Sequence, residues 1–233
     1  MSERGHEFVE FMCEADVLTF GDFVTKSGRK TPYFINTGRY TTGAQMGALG
    51  AFYAAAIEER FAGEYDVLFG PAYKGIPLVV AAAEALHRLH GRDVPLCFNR
   101  KEAKGHGEGG VLVGHALQDG DRVLIVEDVT TAGTSIRETV PILKAAAKVE
   151  LAGLIVSVDR MERGTRDDLS ALDEIGSAFA MRTEAIVTLD QIVEHLSPAS
   201  SSSPGAPSRF RLAEADLARI EAYREQYGPL GSS

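Results

Sequence analysis

Residues 123–135 read VLIVEDVTTAGTS. Val123 to Val126 form a short, wholly apolar run of the kind that makes a buried parallel strand. Glu127 and Asp128 follow at its carboxyl end, and Thr130 to Ser135 supply small hydroxyl residues and glycine before a helical pattern opens at Ile136. A strand that ends in two acids and enters a helix through such a loop suits a phosphorylated sugar. The N–H groups of the loop and of the helix N-terminus attract a phosphate, and the carboxylates accept hydrogen bonds from vicinal hydroxyls. The plainer alternative is a βα turn capped by threonines. Two adjacent acids followed by Thr-Thr-Ala-Gly-Thr-Ser go beyond what such a turn needs.

The pattern continues outward in both directions. Tyr65 to Phe69 predicts a strand ended by Gly70-Pro71, Ile76 to His90 a helix, Val94 to Phe98 and Val111 to Leu117 two strands, Ile136 to Lys148 a helix and Leu151 to Val158 a further strand. Apolar positions at Phe8, Val9, Met12 and Cys13 predict a helix over 4–17, and an alanine-rich helix is expected from about Gln45 to Phe61. Phe20 to Ile35, broken by Gly21 and Gly28, reads as a hairpin. The alternation predicts an α/β fold with a central parallel sheet and helices on both faces, binding its ligand at the carboxyl ends of the strands. Ser197 to Ser208, SPASSSSPGAPS, reads as a low-complexity linker, after which Leu217, Ile220 and Tyr223 mark one face of a last helix.

Composition limits the partners. Among 233 residues, 45% are hydrophobic, and no apolar run is long enough to cross a bilayer. The start, MSERGHEFVEF, lacks a signal-peptide pattern, and Cys13 and Cys97 sit among apolar neighbours as expected of buried thiols, which together point to the cytoplasm. A net charge of −9 argues against a nucleic-acid partner. The cations nevertheless gather at Lys26, Arg29 and Lys30 and at Arg100, Lys101 and Lys104, which suits small, highly charged anions. No protein metal site is expected: His87 and His90 lack a third ligand, and the cysteines form no CxxC pair. Gly105-x-Gly107-x-x-Gly110 matches a dinucleotide fingerprint only formally, since it leads into a strand.

Three further constellations carry chemistry. GPAYKGIP, Gly70 to Pro77, lies between a strand and a helix; its glycines admit a ligand close to the backbone and Lys74 adds charge, although a tight turn with one exposed lysine reads equally well. KEAKGHGEGG, Lys101 to Gly110, predicts a mobile loop, and with Arg100, Lys101, Lys104 and His106 it suits a lid over an anionic leaving group. Arg160, beyond the strand at 151–158, could grip a ligand carboxylate through two hydrogen bonds, or pair at the surface with Asp159 or Glu162.

These stretches together resemble the type I phosphoribosyltransferases and, among them, the orotate phosphoribosyltransferases. The match lies in the acidic strand–loop at 123–135, in N-R-K-E-x-K-x-H-G-E-G-G from Asn99, in D-R-x-E-R-G from Asp159, and in K-S-G-x-x-S-P-x-F from Lys26, where Thr31 takes the serine position. The resemblance implies a single domain with a small N-terminal hood, about 1–40 plus the C-terminal segment, over a core of about 41–182. It implies transfer of a phosphoribosyl group from phosphoribosyl diphosphate to orotate, giving orotidine 5′-monophosphate and pyrophosphate. It implies Mg²⁺ held mainly by substrate oxygens and water, and a homodimer whose cationic lid reaches the neighbouring site.

Residue by residue, it assigns phosphoribosyl diphosphate to Lys26, Tyr73, Lys74, Arg100, Lys101, Lys104, His106, Glu127 and Asp128 and to the loop Val129, Thr130, Thr131, Ala132, Gly133, Thr134 and Ser135. It assigns orotate to Phe34, Ile35, Thr131 and Arg160, and catalysis to Lys101, Lys104, His106 and Asp128. The family often has a second aromatic where this chain has Ile35, and without the other motifs Phe34 reads as a core residue of a hairpin. Two other functions compete. A phosphoribosyltransferase for a neutral base would not need Arg160, and a regulator that only senses phosphoribosyl diphosphate would not need the cationic lid.

Overall fold

Apolar strands and amphipathic helices alternate along the chain as the sequence predicts. In the computed structural model the described residues are 1–25, 28–104, 110–130, 133–198 and 209–230, with the backbone alone at 103 and 104. In order, the elements are α1 (Glu3–Glu14), β1 (Leu18–Val24), β2 (Lys30–Ile35), α2 (Gly43–Phe61), β3 (Val67–Gly70), α3 (Gly75–His90), β4 (Leu96–Lys104), β5 (Gly110–Gly114), β6 (Arg122–Val126), α4 (Thr134–Ala146), β7 (Glu150–Asp159), α5 (Ala171–Phe179), β8 (Arg182–Thr188), α6 (Leu189–Leu196) and α7 (Glu214–Tyr227).

Six strands form one sheet in the order β5-β4-β3-β6-β7-β8. From β3 the chain steps outward to β4 and β5, then returns to β6 and steps the other way. The topological switch therefore lies between β3 and β6, the crevice where open α/β sheets bind ligands. These two strands pair in parallel, with Val67 opposite Val123 and Phe69 opposite Ile125, so the loops after Gly70 and after Val126 leave the same edge side by side.

The period-two pattern along both strands feeds two cores. Leu68, Leu124 and Val126 join the cluster under α1, α2 and α3, whereas Val67, Phe69, Val123 and Ile125 join the cluster under α4 and α5. Leu124 and Ile125 are fully buried. Burial of each such side chain is worth about 1.5–3 kcal/mol.

The sheet departs from the expected all-parallel arrangement at one edge. β5 runs antiparallel to β4, because a hairpin rather than a helix joins them. Residues 101–104, expected to begin a mobile loop, continue β4 instead, with Lys104 opposite Gly110; the tip, 105–109, lies outside the described residues.

α5, β8 and α6 extend the fold beyond the elements that the sequence pattern predicts. β8 pairs in parallel with β7 and carries the sheet to Thr188, past the end near 182 expected for the core. β1 and β2 form a separate antiparallel pair, the expected hood. On it packs α7, through Tyr223 edge-on to Tyr33 with ring centroids 5.8 Å apart. Ile220 and Tyr223 are buried and Leu217 is partly buried, as the helical spacing predicted. The serine-rich stretch lies outside the described residues from 199 to 208, and on its two sides Leu212 N–H donates to Leu196 C=O at 2.9 Å.

Candidate active site

Three loops meet at the switch point. After β6, Glu127 and Asp128 are both buried although both are acids. Their backbone is held from below: the Tyr53 hydroxyl on α2 donates to Glu127 C=O at 2.6 Å, and the Ser157 hydroxyl on β7 donates to Asp128 C=O at 2.6 Å. The two side chains then diverge. Glu127 turns inward, accepting from its neighbour's amide (Asp128 N) at 3.0 Å and from the Ser135 hydroxyl. Burial raises its pKa, and the Ser135 and Asp128 hydrogen bonds oppose that rise.

Asp128 turns toward the loop after β3. Its Oδ2 accepts from Lys74 Nζ at 2.9 Å and from Thr37 Oγ1 at 2.7 Å, while its Oδ1 accepts from Val129 N–H. Lys74 Nζ also reaches Thr37 Oγ1 at 3.1 Å. Thr37, just past the hood hairpin, thus joins Asp128 and the cation of the neighbouring loop.

The loop after Val129 opens α4. Gly133 caps the helix at φ 66°, a left-handed conformation, and a Cβ there would lie 2.6 Å from the Ile175 side chain, so both backbone and space require glycine. Thr130 Oγ1 accepts from Gly133 N–H at 3.1 Å and braces the turn. Thr134 is exposed at the first turn of α4, where free N–H groups attract an anion.

The loop after β3 is anchored from β4: the buried Asn99 carboxamide accepts from Ala72 N–H at 2.9 Å. The Ala72–Tyr73 peptide is cis, and the Tyr73 ring is 68% exposed. Lys101, exposed on β4, places its ammonium 5.2 Å from the centroid of that ring. The hairpin expected to serve as a lid therefore meets the loop after β3 in the same chain. Arg100 lies beside it, half-buried on β4.

The structure thus brings together Tyr73, Lys74, Lys101, Glu127, Asp128, Val129, Thr130, Gly133, Thr134 and Ser135 around one edge. Lys26, His106, Thr131 and Ala132 lie outside the described residues, and Lys104 is described by its backbone alone. The described residues assigned to the base have partners of their own. Phe34 stacks on Phe23 at 5.6 Å, and Ile35 packs against the larger core. Arg160, at the carboxyl end of β7, is buried rather than at the surface, with Nε and Nη2 on Glu162 Oε1 at 2.9 and 2.6 Å. Thr37, Tyr53, Asn99 and Ser157 were missed. A serine inside the apolar run of β7 and a tyrosine among the alanines of α2 were the available signals.

Among the described residues no group of three His, Cys, Asp or Glu side chains could hold a metal ion, and no helix is long and apolar enough to cross a membrane.

A helix N-terminus open to an anion, two buried acids and an exposed lysine thus meet on one sheet edge. The family described as "Phosphoribosyl transferase domain" matches residues 36–179. The chain is 56% identical over 222 residues to an orotate phosphoribosyltransferase of Clostridium beijerinckii, covering 95% of this chain and 96% of that one. It is 52% identical to that of Lachnoclostridium phytofermentans over 98% and 99% of the two chains. The crystal structure of orotate phosphoribosyltransferase from Francisella tularensis superposes with a TM-score of 0.80 at 37% identity, covering 95% of this chain and 99% of the other. The chain belongs to the orotate phosphoribosyltransferases, a branch of the phosphoribosyltransferase family.

Proposed function

We propose that the chain transfers the 5-phosphoribosyl group of phosphoribosyl diphosphate to orotate at the edge above β3 and β6. The bond from ribose C1 to the diphosphate oxygen breaks with its electron pair leaving on pyrophosphate. A ring nitrogen of orotate, which loses its proton, bonds to C1 from the opposite face and gives orotidine 5′-monophosphate. Positive charge develops on the ribose and negative charge on the leaving group, so catalysis needs placed charges more than a strong base.

The observation that carries this reading is the Lys74–Thr37–Asp128 contact at the switch point, with an acid for ribose hydroxyls and a cation for the diphosphate already adjacent. Asp128 accepts from the hydroxyls and faces the developing cation, with Glu127 fixing the strand end behind it. The loop from Val129 to Ser135 holds the 5′-phosphate. Tyr73, Lys74, Arg100, Lys101 and Lys104 hold the diphosphate together with Lys26, and His106 gives it a proton or hydrogen bond. Phe34 and Ile35 flank the base, Thr131 contacts it, and Arg160 pairs with its carboxylate.

Mg²⁺ would be held by substrate oxygens and water beside Asp128, a mode that needs no cage of protein ligands. Bound in that way, the ion supplies positive charge to the departing pyrophosphate. The proposed assembly is a homodimer with shared sites, which the antiparallel edge hairpin carrying exposed Lys101 supports. The free, buried thiols Cys13 and Cys97 support a cytoplasmic location.

A panel of bases tests the reading. Incubated with phosphoribosyl diphosphate and Mg²⁺, the chain should release pyrophosphate with orotate and not with uracil or adenine. Release with a neutral base and none with orotate would overturn it.

A further inference from the structure

One carboxylate, Glu162, gathers four side chains from three parts of the fold. Its Oε2 accepts from Arg29 Nη1 at 3.0 Å. Its Oε1 accepts from the hydroxyls of Tyr33 at 3.0 Å and Tyr223 at 2.8 Å, and from Arg160 through two nitrogens. Arg29 and Tyr33 belong to the hood, Tyr223 to α7, and Arg160 to the end of β7. The ring of Tyr33 lies 4.8 Å beneath the Arg160 guanidinium, and that of Tyr227 lies 4.4 Å from the Arg29 guanidinium. Arg160 and Glu162 are each 6% exposed.

The charge on this cluster does not cancel. Two guanidinium groups share one carboxylate, with Arg160 buried and the Arg29 side chain 32% exposed, which leaves a positive charge only partly withdrawn from water. A guanidinium withdrawn from water favours an anionic partner. Asp159, the nearest acid in sequence, accepts from the Met161 amide at 2.8 Å. Burial works to lower the pKa of Arg160, and the neighbouring Glu162 carboxylate opposes it, so the guanidinium stays charged. Geometry adds direction. Glu162 holds the Nε–Nη2 edge and Tyr33 holds the plane, which fixes where the other edge of the fork points.

We propose that Arg29, Glu162 and Tyr223 are positioning residues that set the charge and aim of Arg160 toward a carboxylated base, so that the C-terminal helix α7 takes part in base selection. The inference rests on the reading of Arg160 as the contact to the substrate carboxylate. A neutral base gains nothing from the surplus charge, and phosphoribosyl diphosphate binds elsewhere on the edge. The device therefore acts on the affinity for orotate alone.

The test uses the full chain and the variants Arg29→Gln, Arg29→Lys, Tyr223→Phe and Arg160→Lys, with KM for each substrate, kcat and the melting temperature measured. Arg29→Gln should raise KM for orotate about tenfold and Tyr223→Phe at least threefold. KM for phosphoribosyl diphosphate should stay within twofold in both, and Arg29→Lys should restore most of the orotate affinity by restoring the charge. If Arg160→Lys raises the orotate KM while Arg29→Gln and Tyr223→Phe do not, the proposal fails and the reading of Arg160 stands. If Arg160→Lys leaves it unchanged, both fall. A fall in melting temperature with all constants moving together would reduce the network to a structural one and overturn the proposal.

Discussion

Lys74 Nζ lies 2.9 Å from Asp128 Oδ2, which joins the loop after β3 to the end of β6 across the switch point. The lysine side chain is 62% exposed and the aspartate side chain 11%. An ion pair this open on one side is worth about 0–1 kcal/mol, so a substrate can separate the two groups at little cost. In the proposed reaction Lys74 then turns to phosphate and Asp128 to ribose. Lys74→Ala should therefore raise KM for phosphoribosyl diphosphate by roughly 10–100-fold, the worth of a hydrogen bond to a charged group. Its melting temperature should stay within a few degrees of the parent, and steady-state kinetics with a thermal melt check both.

Lys101 belongs to the edge hairpin and should act as the leaving group departs. Lys101→Ala should lower kcat by about 10²–10³, as removal of one stabilising donor does elsewhere, and change KM for orotate little. Mixing it with Asp128→Asn after subunit exchange separates two geometries. If the hairpin serves the neighbouring site, one site of each mixed dimer is intact and activity returns. If the contact between Lys101 and Tyr73 of one chain is the working one, no activity returns.

Gly70 ends β3 where the backbone passes closest to α3. A Cβ there would lie 2.3 Å from Gly75 C=O and 2.6 Å from Val79 Cγ1. Gly70→Ala should cost about 1–3 kcal/mol as an overpacking change and should displace Lys74 as well. Denaturant unfolding reads the first effect, and KM for phosphoribosyl diphosphate reads the second.

Stability at acid pH should depend on Asp66. The Arg122 side chain grips its carboxylate at 2.7 and 2.9 Å, and with the Arg122 amide it lowers the pKa to about 2. A depressed folded-state pKa gives stability that is present above the unfolded value and lost as pH falls through the folded one. Asp66→Asn should melt slightly below the parent at pH 6, the pair being exposed and worth about 0–1 kcal/mol, and the gap should close as pH falls from 4 toward 2. A gap that stays constant with pH would remove the role of this pair.

Much of this was legible in the sequence because it depends on local patterning. The run at 123–126, its two acids and the glycine at 133 specify a strand, a carboxylate pair and a helix start within thirteen residues. What escaped is non-local. Thr37 reaches Asp128 from 91 residues away, and Tyr53 reaches Glu127 from 74 away; neither residue stands in a motif. Arg160 was noticed, but its burial against Glu162 depends on Tyr33 and Tyr223, which only the docking of hood and α7 brings together. Both strands of the hairpin at 96–114 were expected, but residues 101–104 read as loop because β4 there runs past β3 with charged residues that lack the apolar alternation of inner strands.

The most direct measurement is orotate turnover by Asp128→Asn against the parent chain, with phosphoribosyl diphosphate and Mg²⁺ saturating and the fold checked by circular dichroism. The amide keeps the shape of the carboxylate but offers only one acceptor oxygen and no charge. The variant should fold as the parent does and form orotidine 5′-monophosphate at least about 100-fold more slowly, the scale of one lost electrostatic contact to a developing charge. Parental turnover in a folded Asp128→Asn would place the reaction elsewhere and contradict the account.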